Sequence, residues 1–242
     1  MLQIHSFGQT DIGLRRSNNE DAFLCQPELA VWAVADGMGG AASGDVASGI
    51  FVDSVLEVFS EAGHPTERDN YFLIQETFRL ANERILSWGR NNAEYRGMGC
   101  TGEVLVFSDE NYLIGHVGDS RTYLYRQGEL KQLTRDHSLV QDQVDQGLMN
   151  LEEARGHSLR NVILRAVGVE ETLAVDLIRG KSFLGDFFLL CSDGLTSAVD
   201  DQSVQEVISL PLSLSRKVER LIHLANLAGG DDNTTVVLCE VT

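Results

Sequence analysis

"VWAVADGMGG", Val31 to Gly40, is an apolar run that stops at an aspartate and breaks into glycines just before a helical pattern. Two chemistries end a strand in this way, and they imply different folds. Gly37-Met38-Gly39-Gly40-Ala41-Ala42 fits G-x-G-x-x-A, the glycine turn that lets a helix N-terminus approach a dinucleotide's pyrophosphate. Asp36 fits the other chemistry, a carboxylate at a strand end that holds a metal ion. It also argues against the first, because its charge would sit where the helix N-terminus should attract the pyrophosphate.

The order of elements weighs the same way. Apolar runs rich in β-branched and aromatic residues occur at about 2–8, 30–35, 103–108, 111–117, 121–126, 172–178, 186–191 and 234–241. Gln127-Gly128 reads as a tight turn inside a meander. Helical spacing appears at Tyr71, Ile74, Phe78, Ala81 and Ile85, at Leu214, Val218, Leu221 and Ala225, and less cleanly over 42–60. Strands in succession with helices grouped between them predict antiparallel sheets covered by helices, not a β-α-β alternation. A dinucleotide fold needs a second strand soon after the first helix, and "EAGHPTERDN" is instead a loop leading to another helix.

Aspartates punctuate the strands. "AVWAVA" stops at Asp36, "YLIGHVG" at Asp119 and "DFFLLCS" at Asp193, and Asp232 precedes the strand "TTVVLCEV". Taken singly, each is an ordinary turn residue. Taken together, an antiparallel last strand would bring all four to one edge. Carboxylates within about 4 Å repel by about 1 kcal/mol per pair even in water, and by more when buried, unless protons or cations intervene. An all-oxygen set suits Mg2+ or Mn2+, and Ca2+ chemically, while the lack of grouped Cys and His disfavours zinc. The acids are spread from residue 36 to 232, unlike an EF-hand loop, so the fold must assemble them.

Composition bounds the partners. The chain of 242 residues is 43% hydrophobic with only 3 prolines, enough for one large core without a linker. A formal net charge of −17 disfavours nucleic acid and anionic membranes. No stretch reaches the roughly 20 apolar residues of a membrane span, and "MLQIHSFGQTDIG" lacks the regions of a signal peptide, which points to a cytoplasmic protein. The four cysteines form no C-x-x-C pair and read as buried thiols.

The blocks "RRSNNEDA", "VADGMGG", "VGDSR", "LTRDHSL", "RNVILRAVG", "CSDGLTS" and "DDNTTVVL" stand in the order seen in the metal-dependent, type 2C protein serine/threonine phosphatases, which the chain resembles from about Gln9 to Leu238. The resemblance implies an α+β fold, a four-layer α-β-β-α sandwich of two antiparallel sheets flanked by helices. It implies hydrolysis of phosphoserine and phosphothreonine by direct attack of a hydroxide bridging two Mn2+ or Mg2+ ions, with a third, weaker metal site. Asp36 would be the bridging ligand, Gly37 a carbonyl ligand, and Asp193 and Asp232 the remaining ligands of the first metal. The acidic pair Glu20 and Asp21 would serve the second, Asp21 being favoured. Asp119 and Asp193 would hold the third. Arg16 matches the phosphate-binding arginine, since a guanidinium can grip two phosphoryl oxygens, with Arg15 its rival. Asp231 reads as a turn residue.

The resemblance departs at Met38 and Ala41, where relatives carry the histidine considered for protonating the leaving alkoxide. His137 and His157 are weak substitutes, and a water on the third metal, between Asp119 and Asp193, is the preferred donor. A single domain is expected over residues 1–242, with residues 137–168 matching a flap beside the active site that selects substrates or merely caps the fold. The resemblance points to a monomeric, stand-alone bacterial enzyme acting on phosphorylated proteins and opposing a serine/threonine kinase. A metal-binding relative that binds phosphoproteins without turnover is the alternative.

Overall fold

The computed structural model describes residues 3–39, 43–63 and 65–242. Two antiparallel sheets stack face to face. The first runs in the order β1 (Ile4–Asp11), β11 (Thr234–Val241), β10 (Phe187–Cys191), β7 (Arg121–Arg126) and β8 (Glu129–Gln132). The second runs β2 (Asp21–Gln26), β3 (Val31–Met38), β5 (Gly102–Ser108), β6 (Asn111–Val117) and β9 (Asp176–Lys181), with the short β4 (Gly99–Cys100) paired to the end of β3. The first and last strands are neighbours, in register from Ile4 opposite Val241 to Asp11 opposite Thr234.

The apolar run of β3 lacks alternation because both of its faces are buried. Val31, Ala33 and Ala35 face the helices α1 (Gly44–Glu61) and α2 (Glu67–Asn91), meeting Phe51, Val55, Ile74 and Phe78. Trp32 and Val34 face the other sheet, where they share a core with Leu105, Phe188, Leu190 and Val237. A third core lies under α6 (Asp201–Ser209) and α7 (Leu214–Leu227), where Val218, Leu221 and Ala225 pack on Leu189, Val236 and Leu238. Three cores between four layers give the α-β-β-α sandwich. Each fully buried large apolar side chain among them contributes about 1.5–3 kcal/mol.

The expected helices stand at α1, α2 and α7. Of the α2 stripe, Ile74, Phe78, Ala81 and Ile85 are buried, whereas Tyr71 is 44% exposed in the first turn. Thr66 starts that helix with a reciprocal capping box to Asp69. Gln127 and Gly128 both adopt positive φ, the two-residue turn that matches strand twist. The strand expected at 172–178 begins only at Asp176, opposite His116, because Leu173 and Val175 pack first on the α1/α2 core. Strand β2 was not expected, whereas β8 follows the Gln127-Gly128 turn as the meander requires.

Between β8 and β9 the chain makes a closed excursion. Its two ends pair where Ser138 meets Ile163, Leu139 N–H donates to the Val162 carbonyl and Leu164 N–H to the His137 carbonyl. Two short helices, α3 (Leu139–Asp145) and α4 (Leu151–Arg155), lie inside it. Among the described residues no helix is long and apolar enough to cross a membrane.

Candidate active site

Strand alternation carries the Trp32–Val34 face of β3 on to Asp36, so its carboxylate emerges where the inter-sheet core ends. Asp21 is its cross-strand partner. Antiparallel pairing of β10 with β11 brings Asp193, in the first turn of α5 (Asp193–Thr196), beside the start of β11 and hence near Asp232. Asp119 sits in the turn between β6 and β7 and is 7% exposed. The strand-end aspartates therefore share one cleft, as the antiparallel reading required.

Their electrostatics show how closely they are placed. Burial pushes the Asp21 carboxyl up to about 7, partly offset by the Ser192 hydrogen bond and reinforced by Asp193 and Asp232. Burial raises Asp119 to about 8, with Asp193 and Asp136 adding and Arg121 opposing. Asp193 rises to about 6 through burial and Asp232, while its hydrogen bond to Asp36 pulls the other way. Asp36 is held well above the ordinary range by burial and then by Asp21, Asp193, Asp119 and Asp232. Such a set retains protons or collects cations.

Among the described residues, no three carboxylate, imidazole or thiol groups converge tightly enough to ligate an ion as they stand. Several of the acids are engaged by neighbours. Ser192 Oγ donates to Asp21 Oδ2 at 2.7 Å, Arg16 Nη2 donates to Asp232 Oδ2 at 2.8 Å, and Asn233 N–H donates to Asp232 Oδ1 at 2.9 Å. The donor set nevertheless fits a hard divalent cation. It is all oxygen, and Asp21 Oδ1 is buried with no hydrogen-bond partner.

The acidic pair divides. Glu20 accepts a hydrogen bond from the Gly44 backbone at the start of α1, while burial raises its carboxyl. It is thus engaged at a helix N-terminus, where a carboxylate is favoured, and Asp21 alone presents the orphaned oxygen. Gly37 is crowded: a Cβ there would lie 2.1 Å from the Gly44 carbonyl oxygen and 2.5 Å from that of Glu20. Only glycine permits the loop before β2 and the first turn of α1 to close around this position.

The two arginines also divide. Arg16 is bonded to Asp232 in the cleft, and this bond raises its pKa. Arg15 is 74% exposed and lies 3.8 Å from Asp231, itself 85% exposed. Arg16, Arg160, Asp193 and Asp232 line a cavity of about 260 Å3. Asp119, Asp193, Arg121 and Arg160 line an adjoining one of about 350 Å3. Arg160 and Asn161 open the block "RNVILRAVG", but the sequence reading gave them no role in the site.

His137 offers no imidazolium to this cleft. His137 Nδ1 accepts from Gly118 N–H at 3.1 Å, which leaves the proton on Nε2, facing Asp176 at 3.2 Å. Burial, His116 and Arg165 lower His137 to about 4. His157 Nδ1 accepts from Leu159 N–H. Met38 is half-buried at the end of β3, and Ala41 lies outside the described residues. Cys191 is fully buried in β10 and its thiol is pushed up by burial, so it presents no thiolate nucleophile.

Sequence reading also overlooked Thr101. Its hydroxyl accepts from Asp36 N–H at 2.8 Å, its own N–H donates to the Asp36 carbonyl at 2.8 Å, and its hydroxyl pairs with Ser120 at 2.7 Å. A single side chain thereby links the end of β3 to the Asp119 turn.

A sequence profile described as protein phosphatase 2C matches residues 14–228. The serine/threonine phosphatase Stp of Listeria monocytogenes serotype 4b is 36% identical over 241 residues, covering 98% of this chain and 96% of that protein. The serine/threonine protein phosphatase PstP of Mycobacterium tuberculosis is 37% identical over 243 residues, 99% of this chain and 45% of PstP. The solved M. tuberculosis PstP/Ppp superposes with a TM-score of 0.90 at 35% identity, covering 99% of both chains. A PstP catalytic domain solved with two manganese ions superposes with a TM-score of 0.91 at 35% identity, covering 100% of both. With the profile spanning most of the chain and these relatives aligned over nearly all of it, the chain belongs to the protein phosphatase 2C family.

Proposed function

We propose that this protein is a metal-dependent serine/threonine phosphoprotein phosphatase. The observation that carries the reading is the cleft itself, where Asp21, Asp36, Asp119 and Asp193 all have raised affinity for protons and Arg16 leans in on Asp232.

Asp36, the Gly37 carbonyl, Asp193 and Asp232 would hold one Mn2+ or Mg2+, Asp36 and Asp21 a second, and Asp119 with Asp193 a third, weaker one. When bound, such ions supply Lewis-acid charge and a water acidic enough to attack phosphorus at neutral pH. Glu20 serves as the cap of α1 and supports Asp21 from the preceding residue. Arg16 binds the equatorial phosphoryl oxygens, offsetting charge that grows during transfer. Asp232 keeps that guanidinium within the cleft until substrate arrives. With His137 turned to Gly118, Asp119 and Asp193 would hold the water that protonates the leaving alkoxide.

The segment 137–168 acts as a flap, and Arg160 and Asn161 are among its contributions to the cleft wall. Pairing of the first strand with the last supports a single catalytic domain. The natural substrates are phosphorylated proteins, with a serine/threonine kinase as the opposing activity, and the enzyme works as a monomer. Four free thiols suit the reducing cytoplasm.

Release of inorganic phosphate from a phosphothreonine peptide, dependent on Mn2+ and abolished by a chelator, tests the reading. Tight binding of the peptide without phosphate release would instead support a phosphoprotein-binding module.

A further inference from the structure

The loop from Ile12 to Glu20 carries Arg16 and contains no helix or strand. It is held instead by the far end of the chain. The Gly230 carbonyl accepts from Leu14 N–H at 2.7 Å and from Arg15 N–H at 3.1 Å. Asn233, 5% exposed, then spans the loop with its side chain alone. Its Nδ2 donates to the Ile12 carbonyl at 2.9 Å and to the Asn18 carbonyl at 3.0 Å, and its Oδ1 accepts from Glu20 N–H at 2.8 Å.

These partners fix the chemistry of the position. Two are carbonyl oxygens and one is an N–H, so the side chain must offer two donors and an acceptor at short reach, which is what a carboxamide supplies. An aspartate would keep the Glu20 bond but turn an oxygen toward two carbonyl oxygens. Asn233 also reaches Arg16 from the other side. Its own N–H donates to Asp232 Oδ1, and Asp232 Oδ2 accepts from Arg16 Nη2. Two consecutive residues therefore fix the root and the tip of the same arginine.

We infer that Asn233 is a positioning residue for Arg16, holding the loop on the path that aims the guanidinium at the phosphoryl group. The inference rests on the reading of Arg16 as the phosphate-binding arginine. Without the three bonds, the loop populates conformations in which Arg16 faces solvent, and affinity for phosphate falls by the fraction of time lost.

A double-mutant cycle of Asn233→Ala and Arg16→Ala tests this, read as inhibition by inorganic phosphate and as KM and kcat on a phosphopeptide, at saturating Mn2+. Asn233→Ala should weaken phosphate inhibition and raise KM about five- to twentyfold, with a smaller effect on kcat. Arg16→Ala should do at least as much. The double variant should match Arg16→Ala within about twofold, because Asn233 acts through that side chain. Asn233→Asp, closer in shape, enters the same cycle should Asn233→Ala fail to fold, and the same criteria apply. Wild-type phosphate inhibition in the Asn233 variant, or losses that multiply in the double variant, would overturn the inference. An Arg16→Ala enzyme with unchanged phosphate inhibition would overturn the reading of Arg16 itself, and the inference with it.

Discussion

Replacing Asp119 by Asn should stabilise the protein when it is stripped of metal at alkaline pH. The carboxyl is 7% exposed and its affinity for protons is raised from the ordinary 3.8 to about 8, chiefly by burial and then by Asp193 and Asp136. For an acid raised in the fold, the folded state holds a proton that the unfolded chain has released. Stability is therefore complete below about pH 4 and is lost as pH rises toward about 8. Four decades at about 1.4 kcal/mol each set a ceiling of about 6 kcal/mol. Entry of water and movement of the side chain toward Arg121 reduce this to about 1–3 kcal/mol. Asn keeps the shape and cannot ionise. At an unfolding entropy of about 2.1 cal/mol/K per residue, the gain corresponds to about 2–6 °C in Tm. The assay is thermal unfolding of wild type and Asp119→Asn in chelator at pH 5 and pH 8.5. The advantage of the variant should be largest at pH 8.5, about half as large at pH 5 for the upper end of that range, and should shrink when excess Mg2+ is restored. Equal melting at pH 8.5, or the same gain at both pH values, would refute the burial and charge argument for this cleft.

Asp36→Asn and Asp193→Asn should each lose more than about 99% of Mn2+-dependent turnover, measured as phosphate release from a phosphopeptide, since each removes charge on which bound cations depend. Arg16→Ala should raise KM for a phosphopeptide at least about tenfold, while Arg15→Ala, whose ion pair with Asp231 is exposed, should change it less than about twofold. Reversed effects would place the phosphate grip on the wrong arginine. Asp119→Ala should slow hydrolysis of a phosphoserine peptide far more than that of p-nitrophenyl phosphate, because a serine alkoxide must be protonated as it leaves and a nitrophenolate need not be. An equal fall on both substrates would move Asp119 from leaving-group protonation to general support of the site.

The sequence revealed the site more fully than the fold, for physical reasons. Asp36, Asp119 and Asp193 were legible because each ends an apolar run and Asp232 because it precedes one, and antiparallel pairing was enough to bring them to one edge. The stacking of two sheets was not legible from strand patterns alone, because it depends on pairings such as Ile4 with Val241 that join opposite ends of the chain. β3 illustrates the difficulty: with both faces buried, its run has no alternation to show which side meets which layer. β2 escaped because "DAFLCQ" follows a polar loop, while β8, with a single apolar residue in "ELKQ", was legible only through the turn before it. α6 is only nine residues long, and its spacing of Val204, Val207 and Ile208 is too brief to stand out. The supporting roles of Thr101, Ser192 and Asn233 were not legible for a different reason. Their partners are backbone groups and carboxylates brought close only by the finished fold, and no local pattern marks a residue for such contacts.

The central claim, that this cleft works through bound divalent cations, is tested most directly by titrating Mn2+ into the metal-free protein by calorimetry while measuring phosphopeptide turnover in the same samples. Wild type should bind two ions tightly, with turnover rising as they saturate, and Asp36→Asn should lose both the binding and the turnover. Full turnover in the metal-free protein, or an Asp36→Asn enzyme that binds two ions and turns over like wild type, would contradict the account.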